Sequence, residues 1–222
     1  MGPIGIFNKL QIFMNHLVLL GDSIFDNGAY VGSGQPVIVQ VNQQLQPNGK
    51  ASLLAVDGDT ASMVQLQLQR IPQDASHLVL SVGGNDALGC IAGLEASASS
   101  VKQGLVLLSQ IRTDFEVSYR ALISTLLNLH RPLMICTVYD HVPGLPTELK
   151  TALGLFNDVI LHEAIHRGLP VLDLRMICTE PGDYSVISPI EPSSLGGAKL
   201  VDRMVRAMVL HDFTRRECHV YV

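Results

Sequence analysis

Three segments of this chain carry residues whose types and order suit an acyl transfer. Gly21-Asp22-Ser23-Ile24-Phe25-Asp26-Asn27 closes a first apolar run, Asp57-Gly58-Asp59-Thr60 a second, and Gly83-Gly84-Asn85-Asp86 a third. A serine where a buried strand stops places a hydroxyl at the functional end of a sheet. If a helical turn starts there, the serine amide also points toward an incoming anion. Gly58 offers a backbone N–H with no side chain in the way, and Asn85 a side-chain amide. With the Ser23 N–H these make three donors able to hold a tetrahedral oxyanion. Taken singly, Ser23 reads as a helix N-cap, and Gly58 and Asn85 as turn residues. Their occurrence after three consecutive strands is the informative fact.

Only a parallel sheet sets three such turns on one edge. Five short apolar runs, 16–20, 52–56, 77–82, 133–138 and 170–174, alternate with longer stretches of helical pattern at 37–45, 61–70, 101–129, 148–167 and 194–210. Near-continuous apolar runs suit strands buried on both faces. The alternation predicts an α/β fold, a flavodoxin-like α/β/α sandwich whose five-stranded parallel sheet has the order 2-1-3-4-5. In such sheets ligands bind beyond the carboxyl ends of the strands. In the third helix Arg112, Glu116 and Arg120 fall at four-residue spacing, and Leu105, Leu108, Ile111 and Phe115 suggest the buried face. One domain is expected over 16–212, preceded by an extension, 1–15, and followed by a tail, 213–222.

Composition narrows the function classes. The 222 residues are 47% apolar and 16% charged, with a mean hydropathy of +0.30, which excludes intrinsic disorder. With 15 Lys+Arg against 20 Asp+Glu the net charge is -5. No basic surplus exists to hold a phosphate backbone, which argues against nucleic acid as a partner. Trp is absent, so Trp stacking on bases or sugars is unavailable. No apolar run is long enough to span a bilayer. The first 14 residues mix apolar positions with Asn8, Lys9 and Gln11 and do not read as a signal peptide; Met1 and Met14 are both candidate starts. Cys90, Cys136, Cys178 and Cys218 form no CxxC pair and are expected to be reduced, mostly buried thiols in a cytoplasmic protein.

From about His16 to Leu210 the chain resembles the SGNH hydrolases, the superfamily of GDSL esterases and lipases. Gly21-Asp22-Ser23 matches the nucleophile block, Gly58 the glycine block, and Gly84-Asn85-Asp86 the Gly-x-Asn-Asp block in shortened form. The resemblance implies hydrolysis of a small-molecule carboxylic ester without metal or cofactor. It assigns Ser23 as nucleophile and the Ser23 N–H, the Gly58 N–H and Asn85 as oxyanion hole.

The last block departs from the family. Where the family has Asp-x-x-His-Pro and then a glycine opening the last helix, this chain has Ser188-Pro189-Ile190-Glu191-Pro192-Ser193-Ser194-Leu195-Gly196. No histidine occurs from Gly168 to Met208. Glu191 then stands at the histidine position and Ser188 at the aspartate position. The double replacement has a physical logic. An aspartate orients and stabilises an imidazolium, whereas beside a carboxylate base it would repel; a neutral serine can donate a hydrogen bond instead. A Ser23–Glu191 dyad is therefore the leading expectation, provided burial raises the glutamate from about 4.3. The structural alternative is that Glu191 merely charges or caps the last helix.

The histidines elsewhere in the chain offer one rival base. His16, His77 and His130 precede strands, His162 and His166 lie late in a returning helix, and His211 and His219 fall in or beyond the last one. Only His141 follows the carboxyl end of a strand, with Asp140 or Asp183 to orient it. His162-Glu163-Ala164-Ile165-His166 spells the HExxH pattern of zinc peptidases, but on a crossover helix with no evident third ligand it reads as accidental. The alternatives to an esterase with Glu191 as base are thus the same esterase using His141, an inactive SGNH-fold binding module, and a zinc peptidase.

Overall fold

The computed structural model describes residues 15–222; the extension as far as Met14, with the second candidate start, lies outside the described residues. Six strands form one sheet: β1 (His16–Gly21), β2 (Lys50–Leu53), β3 (His77–Ser81), β4 (Leu133–Cys136), β5 (Val171–Leu172) and β6 (Val220–Tyr221). Their order is β2-β1-β3-β4-β5-β6, and every neighbouring pair is parallel. Eight helices of the described residues follow in chain order: α1 (Val37–Leu45), α2 (Val64–Leu68), α3 (Gly84–Gly89), α4 (Ile91–Leu94), α5 (Val101–Leu127), α6 (Thr147–Arg167), α7 (Leu174–Ile177) and α8 (Ser194–Leu210).

Alternation along each strand divides the apolar residues between two cores. Leu17, Leu19, Val79, Met134 and Leu172 face one layer, where α1 and α8 contribute Val37, Val41, Leu200 and Met204. Val18, Leu20, Leu78, Leu80 and Ile135 face the other, where α5 and α6 contribute Phe115, Leu122, Phe156 and Ile160. Strands β1, β3 and β4 are buried along their whole length, as their apolar runs predict. The expected doubly covered parallel sandwich is the observed fold.

The sixth strand was not expected. The tail after residue 212 returns to the sheet, where the Val171 N–H donates to the His219 carbonyl at 2.8 Å and the Asp173 N–H to that of Tyr221 at 2.9 Å. A two-residue strand has no periodicity to read. The second strand begins at Lys50 rather than Ser52, because an edge strand needs no apolar side chains on its open side; Leu54 and Ala55 instead turn inward, both amides donating to the Leu19 carbonyl. The buried face of α5 also differs. Phe115, Tyr119, Leu122, Ile123 and Leu126 are buried, but Leu105 is 61% exposed, because the first turns of this 27-residue helix run past the sheet. Arg112 and Arg120 do pair with Glu116. Cys136 and Cys178 are buried, Cys90 and Cys218 half-buried, and all four are free. No helix among the described residues is long and apolar enough to cross a membrane.

Candidate active site

The turn after β1 depends on Gly21. Its φ is +124°, and a Cβ there would stand 1.8 Å from the Ser81 carbonyl oxygen, so no other residue fits. The Asp22 N–H donates to that same carbonyl, and the Phe25 and Asp26 amides turn back onto the Asp22 carbonyl. Ser23, 7% exposed, sits within this turn. None of the hydrogen bonds among the described residues uses the N–H of Ser23 or of Gly58. Gly58, at φ +85°, is open to solvent. The Asn85 side-chain amide donates one hydrogen to the Asp59 carbonyl at 3.0 Å, which leaves the second available. Three donors thus stand at the carboxyl ends of adjacent strands.

Gln67, not singled out from the sequence, ties two of these loops together. Its Oε1 accepts from the Gly21 N–H at 2.9 Å, and its Nε2 donates to the Gly21 carbonyl and to the Asp59 carboxylate, each at 2.7 Å. The Asp86 carboxylate accepts from the Ala61 N–H at 3.0 Å and binds the second loop to the third. The left-handed glycine before α3 is Gly83, at φ +129°. Gly83 thus turns the chain into α3 immediately before Gly84-Asn85-Asp86.

Glu191 reaches the same place from the far end of the chain. It is 3% exposed and held on both sides. The Tyr139 hydroxyl donates to the Ile190 carbonyl at 2.6 Å, and Asn27 Nδ2 to the Pro192 carbonyl at 3.1 Å. The Ser185 N–H donates to the carbonyl of Glu191 itself at 2.9 Å. Burial raises the Glu191 pKa above the usual carboxylate range; the Ser188 hydroxyl pulls it back, the nearby Asp57 charge pushes it up, and the Ser23 hydroxyl pulls it back again. The Glu191 carboxylate makes no hydrogen bond among the described residues, and its Oε2 is buried without a partner, while both hydroxyls lie near enough to act on its ionisation. This loose approach suits an unliganded acid–base pair. Glu191 is not the cap of α8. That position belongs to Ser193, whose Oγ accepts from the Gly196 N–H at 3.1 Å.

The rival bases are engaged elsewhere. The His141 side chain is 43% exposed and its Nδ1 lies 2.9 Å from Asp140 Oδ1; it is not among the groups acting on Glu191. Asp183 is fully buried, ion-paired with Lys199 at 2.7 Å, and accepts from the Glu180 N–H. In the HExxH stretch Glu163 is turned inward to Arg120 at 2.8 Å and Arg167 at 3.5 Å, while His162 and His166 are exposed. Among the described residues no three His, Cys, Asp or Glu gather to hold a metal ion.

A cavity of about 110 Å³ opens beside Ser23. Ser23, Asp22, Ser81 and Asn85 line it at the strand ends, and its remaining wall is almost wholly apolar, including Leu88, Ile91, Ile111, Val142, Leu153 and Phe156. Leu108 and Ile111, expected on the buried face of α5, are half-buried and line this cavity, and Ile111 also packs against the second core. Burial lifts the Asp22 carboxyl from 3.8 to about 8, against the Ile24 N–H, which its Oδ1 accepts. The folded state therefore keeps a proton that the unfolded chain releases near pH 4, so Asp22 makes stability fall as pH rises from about 4 to 8. Asp22→Asn retains the acceptor for Ile24 and abolishes the ionisation. It is expected to raise Tm by several degrees at pH 8 and hardly at all at pH 4, as thermal melts at the two pH values will read.

The same parallel topology serves nucleotide-binding proteins, but those carry a glycine-rich phosphate turn after β1; a buried serine there, with Gly58 and Asn85 on the neighbouring strand ends, fits the SGNH class of hydrolases. The chain belongs to the GDSL-like lipase/acylhydrolase family, whose model matches residues 19–196, and is a carboxylic ester hydrolase. The comparison with curated proteins finds no match. Among solved structures, the lipase Lip_vut3 from a goat rumen metagenome is 17% identical with a TM-score of 0.67, covering 87% of this chain and 97% of its own. An extracellular lipase from Streptomyces rimosus is 16% identical, TM-score 0.63, covering 87% and 99%. An acetylxylan esterase from Geobacillus stearothermophilus is 16% identical, TM-score 0.64, covering 90% and 96%. These likenesses show a shared fold.

Proposed function

We propose that the protein hydrolyses carboxylic esters of apolar acyl chains through an acyl-enzyme on Ser23, with Glu191 as the base. Glu191 takes the Ser23 proton as Oγ adds to the ester carbonyl. The Ser23 N–H, the Gly58 N–H and the free Asn85 N–H receive the oxyanion. Collapse breaks the ester C–O bond, and the leaving alkoxide takes the proton from Glu191. A water, deprotonated by Glu191, then adds to the acyl carbon; the second collapse breaks the bond from that carbon to Ser23 Oγ, which takes the proton back from Glu191 as the free acid leaves. The observation that carries this reading is a buried carboxylate with an unpartnered oxygen, near enough to the Ser23 hydroxyl to be acted on by it, where the family has histidine. Ser188 fits as the neutral partner that holds this carboxylate without repelling it.

The cavity bears on the acyl group. Lipases and an acetylxylan esterase share the fold, and the apolar wall favours a longer chain over acetyl. Each methylene buried is worth about 0.8 kcal/mol, so kcat/KM for p-nitrophenyl butyrate should exceed that for the acetate by about tenfold. Ala152, which also lines the cavity, tests the assignment. Ala152→Phe fills the space and should reverse the preference toward acetate. A wild-type enzyme that prefers acetate would remove the acyl role from this cavity.

A further inference from the structure

We infer that a second cavity, at the amino ends of the strands and opposite Ser23, binds a small anion carrying more than one phosphate-type charge. The site does not depend on the hydrolytic reading. It is formed where the turn before β4, the turn before β5 and the segment leading into β6 meet, and it has a volume of about 360 Å³. Arg131, Arg167, Arg215 and Arg216 line it together with His130 and His211, and no acidic residue does. These are four of the ten arginines in a chain whose net charge is -5. Concentrating them here against that balance is what a site for an anion requires, since a guanidinium presents a fixed fork of donors matched to phosphate oxygens.

The surrounding carboxylates neutralise only part of the group. Arg216 makes no ion pair or side-chain hydrogen bond among the described residues, and Arg131 makes one hydrogen bond, to the Gln73 carbonyl at 3.0 Å. Arg167 donates to Ser124 Oγ at 3.2 Å and lies 3.5 Å from Glu163, a carboxylate already held by Arg120. Arg215 pairs with Glu217 at 2.8 Å. Asp212 accepts from the N–H and hydroxyl of Thr214. At least two positive charges are thus left without an acidic partner. A second feature of the wall is independent of charge. His211 is 7% exposed and its Nδ1 meets the Tyr221 hydroxyl at 3.1 Å, but its Nε2 is buried with no partner.

The cavity owes its shape to the tail. Gly168, at φ +65°, lets the backbone of Arg216 approach so closely that a Cβ would stand 2.6 Å from it, and the Phe213 ring packs edge-on against His211 and His77. The strand missed in the sequence is therefore the element that brings Arg215 and Arg216 over the two turns. A space of about 360 Å³ lined by four guanidinium groups has room and charge for a diphosphate.

The test is isothermal titration of the full-length protein with inorganic pyrophosphate, with inorganic phosphate as comparison. Saturable one-to-one binding, tighter for pyrophosphate, is expected. Arg131→Ala and Arg216→Ala should each weaken it by about tenfold, while Arg203→Ala, which removes an exposed charge on α8, should leave it unchanged. Ser23→Ala should bind as the wild type does. The absence of saturable heat with the wild type would overturn the site, whatever the variants do. So would equal losses in Arg203→Ala and Arg216→Ala, which would mark diffuse attraction rather than a site.

Discussion

Ser23→Ala is expected to abolish ester turnover and leave the fold intact. The Ser23 hydroxyl is the proposed nucleophile at the junction of the three strand-end loops, and without it no acyl-enzyme forms. The fold tolerates its loss because Ser23 Oγ makes no strict hydrogen bond to the scaffold; Gly21 and the Asp22 amide set the turn. Asn85→Ala is a partial counterpart. It removes one oxyanion donor and should lower kcat by roughly 100- to 1,000-fold with little change in KM, because the donor acts chiefly on the charge of the transition state. Steady-state kinetics on p-nitrophenyl butyrate, with circular dichroism as a fold control, read both. An unchanged kcat in either variant removes that residue from the mechanism.

The second large effect belongs to Glu191→Gln. Glutamine keeps the volume and removes the basic lone pair, so kcat should fall by about 100- to 10,000-fold, the range for a lost general base. His141→Ala should be mild, since that side chain is half-exposed and engaged with Asp140. The pH profile gives an independent sign. A base works only when ionised, so activity is present above the Glu191 pKa and is lost as pH falls through it. Burial and the Asp57 charge both raise that pKa. The acidic limb must therefore lie above that of an ordinary glutamate, and Asp57→Asn must move it to lower pH. Rebuilding the family's block with Ser188→Asp and Glu191→His together should retain more activity than Glu191→His alone, because the imidazolium then has its partner. If His141→Ala is crippling and Glu191→Gln mild, the histidine is the base; if every variant including Ser23→Ala leaves the same residual rate, the protein is a binding module that kept the fold.

What could be read in advance follows physical range. Ser23, Gly58 and Asn85 were legible because each closes a short apolar run, and a parallel sheet brings such ends together. The split of β1 into Leu17 and Leu19 on one face and Val18 and Leu20 on the other follows from a period of two. Gln67 and Asn27 were not legible. Each is a single polar residue whose partners lie far away in sequence, Gly21 for one and Pro192 for the other. The exposure of Leu105 depends on where the sheet stops, which no helix period encodes. The sixth strand depends on backbone pairing of two residues. Glu191 lies between these extremes: its register against the family's last block pointed to it, but its burial is produced by contacts from Tyr139 and Asn27, which only the assembled fold supplies.

Activation of Ser23 by Glu191 governs a step that can be watched directly. Mass spectrometry of the intact protein, quenched at intervals after mixing with p-nitrophenyl butyrate, follows acylation of Ser23 apart from its hydrolysis. In the wild type and in His141→Ala the butyryl adduct should form at similar rates, and in Ser23→Ala it should be absent. In Glu191→Gln it should form slower by about two orders of magnitude or more. Acylation of Glu191→Gln at the wild-type rate, or a collapse of that rate in His141→Ala, would contradict the claim.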